Sequence, residues 1–187
     1  MTIISFRGRF IFLANMKCGS TTLHQLLAPY ADIIAANSIF QKPIGKHDNA
    51  RQVKSFIESK GYKWEDFYVF TTIREPFSRI KSCYKYEREC KYIESDLKLE
   101  DYIKMGRYHS HFRDIDYFTS PGVNKVIRME DFDTEIPLLW ERLGLGVFKG
   151  EVPHLNVTQS SKQKITEKNS LIKVLKKRHQ SDYAYYS

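Results

Sequence analysis

Two short stretches of this chain carry the residue types that hold anions. The first reads Asn15-Met16-Lys17-Cys18-Gly19-Ser20-Thr21-Thr22. A lysine, a glycine that lets backbone N–H groups come close, and three hydroxyls at a helix start describe a cradle for an anionic group. Ser20, Thr21 and Thr22 can cap the helix and also donate to phosphate oxygens. The second stretch, Arg74-Glu75-Pro76-Phe77-Ser78-Arg79-Ile80-Lys81-Ser82-Cys83-Tyr84, sets Arg74 at a strand end with Ser82 eight residues on. Arginine offers a planar fork for bidentate contact and serine a neutral donor, with Arg79 and Lys81 adding positive field. Eight helical residues rise about 12 Å. Arg74 and Ser82 therefore meet one phosphate only if the early part is non-helical or the ligand spans the turn.

The first stretch is not the G-x-x-x-x-G-K-[ST] phosphate loop, because Lys17 lies two residues before the glycine and the first glycine is missing. Each stretch alone also fits a plainer part: a strand-to-helix turn with a capping serine, or a basic amphipathic helix after a core strand. Among six histidines, His47 lies in a loop just before a helix. There a side chain with a reference pKa of about 6.5 can serve as a base, or simply make one backbone hydrogen bond. His154 is the second choice. His24, on the first helix, fits packing or capping, and His109 and His111 flank Ser110. Cys18, Cys83 and Cys90 form neither a metal spacing nor an even set, so reduced thiols and a cytoplasmic setting are expected. Cys18 fits a small filler better than a nucleophile.

The elements that must position these residues follow from the apolar pattern. Residues 10–14 read as a buried strand, and Leu23, Leu26 and Leu27 recur at helical spacing. Residues 33–36 fit a short strand. Asp48 or Asn49 caps a helix running to about Ser59, with Val53, Phe56 and Ile57 inward and Gly61 after it. Residues 68–73 are nearly all β-branched or aromatic, as in a strand covered on both faces. Pro76 suits the first turn of the helix that follows, which runs to about Tyr92. Further on, the pattern predicts a short helix over 97–105, a polar, aromatic loop over 108–121, a third strand over 123–129 and a helix over 137–143 stopped by Gly144. Residues 152–164 read as irregular, and a last helix covers 166–180 with Leu171, Ile172 and Leu175 inward. Strands separated by helices mean a single-domain α/β fold, residues 1–187, with a P-loop-type, mainly parallel sheet flanked by helices. Ligands in such sheets bind beyond the carboxyl ends of the strands, where both stretches lie.

With 187 residues, 42% of them apolar and 14% aromatic, the chain supports one domain with a proper core. No window approaches the 18 apolar residues of a membrane span, and the first residues lack a signal-peptide pattern. The net charge of +8 favours polyanionic partners. Residues 162–179 hold six Lys and one Arg against Glu167, which also fits a solvated helix face.

Taken as a pair, the two stretches resemble the sulfotransferases that use 3′-phosphoadenosine 5′-phosphosulfate (PAPS). In that family a lysine, glycine and hydroxyl cluster grips the 5′-phosphosulfate, and an R-x-P-x-x-R-x-x-S-x-Y turn grips the 3′-phosphate. The likeness is closest to the carbohydrate branch that sulfates heparan and chondroitin. It extends to Lys46-His47-Asp48-Asn49-Ala50, Arg128-Met129-Glu130-Asp131-Phe132, His154-Leu155-Asn156 and the terminal Asp182-Tyr183 with Tyr186. Met16 departs from it, since the family carries proline before the lysine, and residues 95–122 match nothing in it.

The resemblance implies a PAPS-dependent enzyme that moves a sulfuryl group to a hydroxyl, expected on a carbohydrate, with no metal and no nucleic-acid partner. By analogy with phosphoryl transfer, positioning and electrostatics dominate such a reaction. Lys17 would meet charge developing on the bridging oxygen, and Ser20, Thr21 and Thr22 would donate to the sulfuryl group. Cys18 and Gly19 complete the cradle, and Arg74 and Ser82 would hold the 3′-phosphate. His47 would be the base, as a histidine of this region is in the heparan-type enzymes. Asn156, Ser160, Ser161 and Lys162 correspond to the loop that covers PAPS. Two other classes stay open: a P-loop kinase or NTPase, of which Glu130-Asp131 leaves a trace, and a basic polyanion-binding or nucleic-acid-binding module.

Overall fold

The computed structural model describes residues 1–35, 44–106, 108, 112–153 and 169–187. Its centre is a five-stranded sheet in the order β3-β1-β2-β4-β5, formed by β1 (Ile3–Ser5), β2 (Phe10–Leu13), β3 (Ile33–Ile34), β4 (Tyr68–Ile73) and β5 (Lys125–Arg128). β2, β4 and β5 pair in parallel, whereas β1 is antiparallel to both β2 and β3. Four strands thus run one way, and β1 alone runs back.

Alternation along β2 divides the core. Phe10 and Phe12 point to one face, where they meet Leu23 and Leu27 of α1 (Ser20–Leu27) and Ile136, Leu139 and Trp140 of α6 (Phe132–Arg142). Ile11 and Leu13 point to the other face, against Val53, Phe56 and Ile57 of α2 (Ala50–Ser59). All four β2 side chains have no exposure, and burying each such side chain is worth roughly 1.5–3 kcal/mol. α2 starts with a reciprocal cap: Asn49 Oδ1 accepts from Gln52 N–H and Gln52 Oε1 accepts from Asn49 N–H, both at 3.0 Å. A third cluster joins α3 (Pro76–Glu89), α4 (Leu99–Met105) and α7 (Asn169–Arg178) through Phe77, Ile80, Tyr102, Ile103 and Leu175. The short α5 (Ile115–Thr119) and α8 (Gln180–Tyr183) complete the α-helices among the described residues.

Four local expectations change. Residues 3–5 form a strand that the sequence pattern does not predict, because three residues are too few to show a period. The expected loop over 108–121 contains α5, anchored by buried Ile115 and Phe118. α6 begins at Phe132, and Pro137 lies inside it. The apolar series Phe132, Ile136, Leu139, Trp140 carries the helix across the proline. α3 stops at Glu89, short of Tyr92, with Lys91 in the left-handed region at φ 57°.

Candidate active site

Because β2 and β4 are parallel neighbours, with Leu13 opposite Thr71, the turns that leave them stand side by side on one rim. Hydrogen bonds fasten them together. Thr71 Oγ1 donates to Leu13 O at 2.7 Å, and Asn15 Nδ2 donates to Thr72 O at 3.1 Å. β5 ends on the same rim, with Arg128 opposite Ile73.

The first turn has the shape of an anion cradle. Gly19 is the N-cap of α1 at φ 78°, and a Cβ there would lie 2.5 Å from Phe132 Cε2. Both the left-handed backbone and the close approach of a ring therefore demand glycine. The expected hydroxyl cap is not used, since among the described residues no side chain caps α1. The first intrahelical bond is Leu23 N–H to Gly19 O at 3.3 Å, so the N–H groups of Ser20, Thr21 and Thr22 lie in the turn where a helix leaves its donors unpaired and its dipole favours an anion. Thr22 differs from the other two hydroxyls: its single proton already goes to Pro153 O at 3.0 Å, which leaves its backbone N–H as the donor for a ligand. Cys18 is wholly buried and donates Sγ–H to Met16 O at 3.3 Å. Burial pushes its thiol up to about 12, so it is inert filler rather than a nucleophile.

Lys17 sits beside this helix end at φ 60°, a conformation non-glycine residues rarely keep. Its Nζ lies 4.6 Å from the centroid of the Tyr86 ring, a cation–π contact. Burial, mainly, and the positive charge of Arg74 pull its pKa below the usual lysine value, against the opposing effect of Cys83. Arg74 and Lys17 are thus close enough to repel. Ser82 lies on α3 midway between Ser78 and Tyr86, which at four-residue steps share one side of the helix. Since α3 is helical from Pro76, Ser82 is about 9 Å further along its axis than Pro76. A phosphate shared with Arg74 requires the arginine side chain to lie back along α3.

His47 reaches the same rim from the loop before α2. Its Nδ1 stands 2.6 Å from Ala14 O, at the end of β2. A carbonyl only accepts, so Nδ1 carries the proton and Nε2 keeps its lone pair. The loop is held by Asp48 Oδ2, which accepts from Gly45 N–H at 2.6 Å, and by Lys46 O, which accepts from Thr2 N–H at 3.0 Å. Burial lowers the His47 pKa to about 4 despite the bond to Ala14.

The sequence missed what holds the two turns in place. Arg79 does not add positive field at the surface; it is fully buried. Its Nε donates to Met16 O (2.9 Å), Nη2 to Asn15 Oδ1 (2.6 Å) and Nη1 to Arg113 O (2.9 Å) and Asp182 Oδ2 (3.2 Å). Asp182 Oδ1 also accepts Ile115 N–H at 2.6 Å. Burial pushes the Asp182 carboxyl up, and Arg79 and the Ile115 N–H hold it down. Since both oxygens accept, we read it as a carboxylate. In sequence, a charge on a helix looks like a solvated one unless its distant partner is known.

A cleft of about 760 Å³ opens beyond β4 and β5, lined by Glu75, Ser78, Glu130, Lys176, Tyr183 and Tyr186, among others. Glu75 caps α3, accepting from Phe77 and Ser78 N–H groups. Glu130 accepts from Glu75 N–H at 3.1 Å and from Tyr186 OH at 2.8 Å. Among the described residues, no group of three or more His, Cys, Asp or Glu is arranged to hold a metal, and no helix is long and apolar enough to cross a membrane. Asn156, Ser160, Ser161, Lys162, His154, His109, Ser110 and His111 lie outside the described residues.

No protein-family model and no curated protein matches this sequence. Among solved structures, a sulfotransferase from Alicyclobacillus acidocaldarius aligns over 95% of this chain and 93% of its own, with 16% identity and a TM-score of 0.49.

Proposed function

We propose that this chain is a sulfotransferase that takes its sulfuryl group from PAPS and gives it to a hydroxyl of a carbohydrate. One observation carries the reading: an uncapped helix N-terminus with Lys17 beside it stands on the same rim as the arginine-bearing turn after β4. Two anion-holding turns side by side suit a ligand with a phosphate at each end. The glycine cradle and the N-terminal donors of α1 fit a phosphosulfate, and Arg74 with Ser82 fits a 3′-phosphate. Asn156 and Lys162 are assigned to the covering segment by the sequence resemblance alone.

Bound PAPS supplies an activated sulfuryl group. The protein's part is to orient it and to move one proton. Lys17 and the N–H groups of residues 20–22 meet the negative charge that grows on the leaving 5′-phosphate oxygen. Ser20 and Thr21 donate to the sulfuryl oxygens. His47 Nε2 takes the proton of the attacking hydroxyl as that oxygen bonds to sulfur and the bond from sulfur to the phosphate oxygen breaks. A pKa of about 4 keeps His47 neutral near pH 7, and nearby anions raise a histidine's proton affinity, the direction a base needs. The glycan acceptor rests on the sequence likeness around Lys46 and on a +8 charge that suits an acidic chain. Three free thiols suit a reducing, cytoplasmic setting. The kinase alternative loses support because the Glu130 carboxylate is engaged with Glu75 and Tyr186 rather than offered to magnesium.

Thermal-shift measurements with PAPS and 3′-phosphoadenosine 5′-phosphate, then labelled-sulfate transfer to a glycan panel, test the reading. Stabilisation by both nucleotides and label in a glycan support it. Magnesium-dependent ATP turnover without any response to either nucleotide would replace it with the kinase reading.

A further inference from the structure

Arg79 is the largest fully buried side chain among the described residues, and none of its hydrogen bonds serves a surface. It joins three parts of the chain: Asn15 and Met16 before the anion turn, Arg113 before α5, and Asp182 in α8. Its guanidinium also lies 3.9 Å from the centroid of the Phe112 ring. The contact that matters for the site is the one to Met16 O. A trans peptide points its C=O and the following N–H in opposite directions. With Met16 O turned inward to Arg79 Nε and Cys18 Sγ, the Lys17 N–H is turned away from that buried contact. Lys17 is held at φ 60°, a conformation that persists only where surrounding contacts over-determine it.

We propose that Arg79 and Asp182 are positioning residues for the anion turn: Asp182 fixes the guanidinium, and the guanidinium fixes the peptide between Met16 and Lys17. The C-terminal α8 thereby sets the shape of a turn that follows the second strand. Without this brace the peptide is free to turn over, carrying the Lys17 N–H and side chain out of register with the α1 N-terminus. The ligand named below rests on the sulfotransferase reading, but the mechanical coupling does not.

Full-length Asp182→Asn and Arg79→Lys are compared with wild type and with Leu143→Ala, a core truncation at the far end of α6. Asparagine keeps the shape of Asp182 without its charge, and lysine cannot span Asn15, Met16 and Asp182 together. Hydrogen exchange read on the peptide spanning residues 14–20, without nucleotide, should be at least tenfold faster in both brace variants and unchanged in Leu143→Ala. Affinity for 3′-phosphoadenosine 5′-phosphate, by calorimetry, should fall about tenfold or more in the brace variants only, which is about 1.4 kcal/mol. Unchanged exchange in residues 14–20, or equal acceleration in Leu143→Ala, overturns the proposal. If Asp182→Asn does not fold, Arg79→Lys gives the same two readings. A wild type that binds no nucleotide ends the sulfotransferase reading, while the exchange result still decides the coupling.

Discussion

Gly19→Ala asks the anion turn to do two things it cannot do at once. The new Cβ would sit 2.5 Å from Phe132 Cε2 and 2.8 Å from Cζ, and the residue must still hold φ 78°. A left-handed conformation costs a non-glycine residue roughly 1–2 kcal/mol, and forcing a methyl into packed core costs about 1–3 kcal/mol. The sum is about 3 kcal/mol, which for a chain of this size lowers Tm by about 6–12 °C. The two parts can be separated. Phe132→Leu removes the colliding ring edge but leaves the backbone requirement, so Gly19→Ala and Phe132→Leu together should be about 1–2 kcal/mol less damaging than the sum of the singles. The assays are calorimetric or circular-dichroism melting of all four proteins, and nucleotide binding at a temperature where each is folded. Binding should stay weak in the double variant, because the strained φ still displaces the helix donors. A Gly19→Ala protein that melts within a degree of wild type, or a strictly additive double variant, would refute this account of why the turn carries glycine.

Further substitutions separate the roles assigned to the site. Lys17→Ala should cut turnover far more than PAPS affinity, because its charge is needed chiefly in the transition state; an unaffected rate removes it from the mechanism. Arg74→Ala should weaken binding of the 3′-phosphorylated nucleotide and hardly change binding of its 3′-dephospho analogue, and equal losses would break that assignment. His47→Ala should abolish transfer while nucleotide binding persists; surviving activity passes the role of base to His154. The low pKa of His47 adds a pH test. Its folded value of about 4 lies below the ordinary value near 6.5, so the unfolded chain takes the proton first. The stability it contributes is complete above about pH 6.5 and is lost as pH falls toward 4. Melting from pH 4 to 7 should show that loss, and His47→Gln should flatten it. The acid limb of kcat/KM should lie near 4 for the same reason.

How much of this was legible depended on the range of each signal. β2 and β4 are short apolar runs bounded by turn residues, and they form where the pattern puts them. A cap at Asp48 or Asn49, which the fold resolves to Asn49, and the glycine after α2 are local chemistry and are readable for that reason. The placement of both anion stretches at strand ends followed from those two strands. What could not be read is contact between distant residues. Arg79 looks like one basic residue among several on α3, and only the fold reveals Asp182, 103 positions away, as its partner. The His47 bond to Ala14 spans 33 positions, and its depressed pKa follows from burial that no loop sequence announces. α6 starts before the stretch over 137–143 that the pattern predicts, for a related reason: Phe132 and Ile136 draw the chain into the core ahead of Pro137.

The topology explains why these pieces converge. With β2, β4 and β5 parallel and adjacent, their following turns must open on one edge, so a cradle, an arginine and the Arg128–Asp131 pair arise as neighbours. β1, running back, places Thr2 where its backbone and hydroxyl hold Lys46 O, and so sets His47 against the end of β2. Charge then makes the site favour an anion. Lys17 is partly buried and repelled by Arg74, with the Tyr86 ring against its ammonium and an attraction to Glu89 too weak to offset its burial. The His47 ring is held where protonation is costly. An arriving dianion relieves all three, because it pairs with the lysine, offsets the arginine and raises the proton affinity of the imidazole. The ligand should therefore stabilise the fold by RT ln(1 + [L]/Kd). The gain should shrink as added salt screens the exposed part of that attraction.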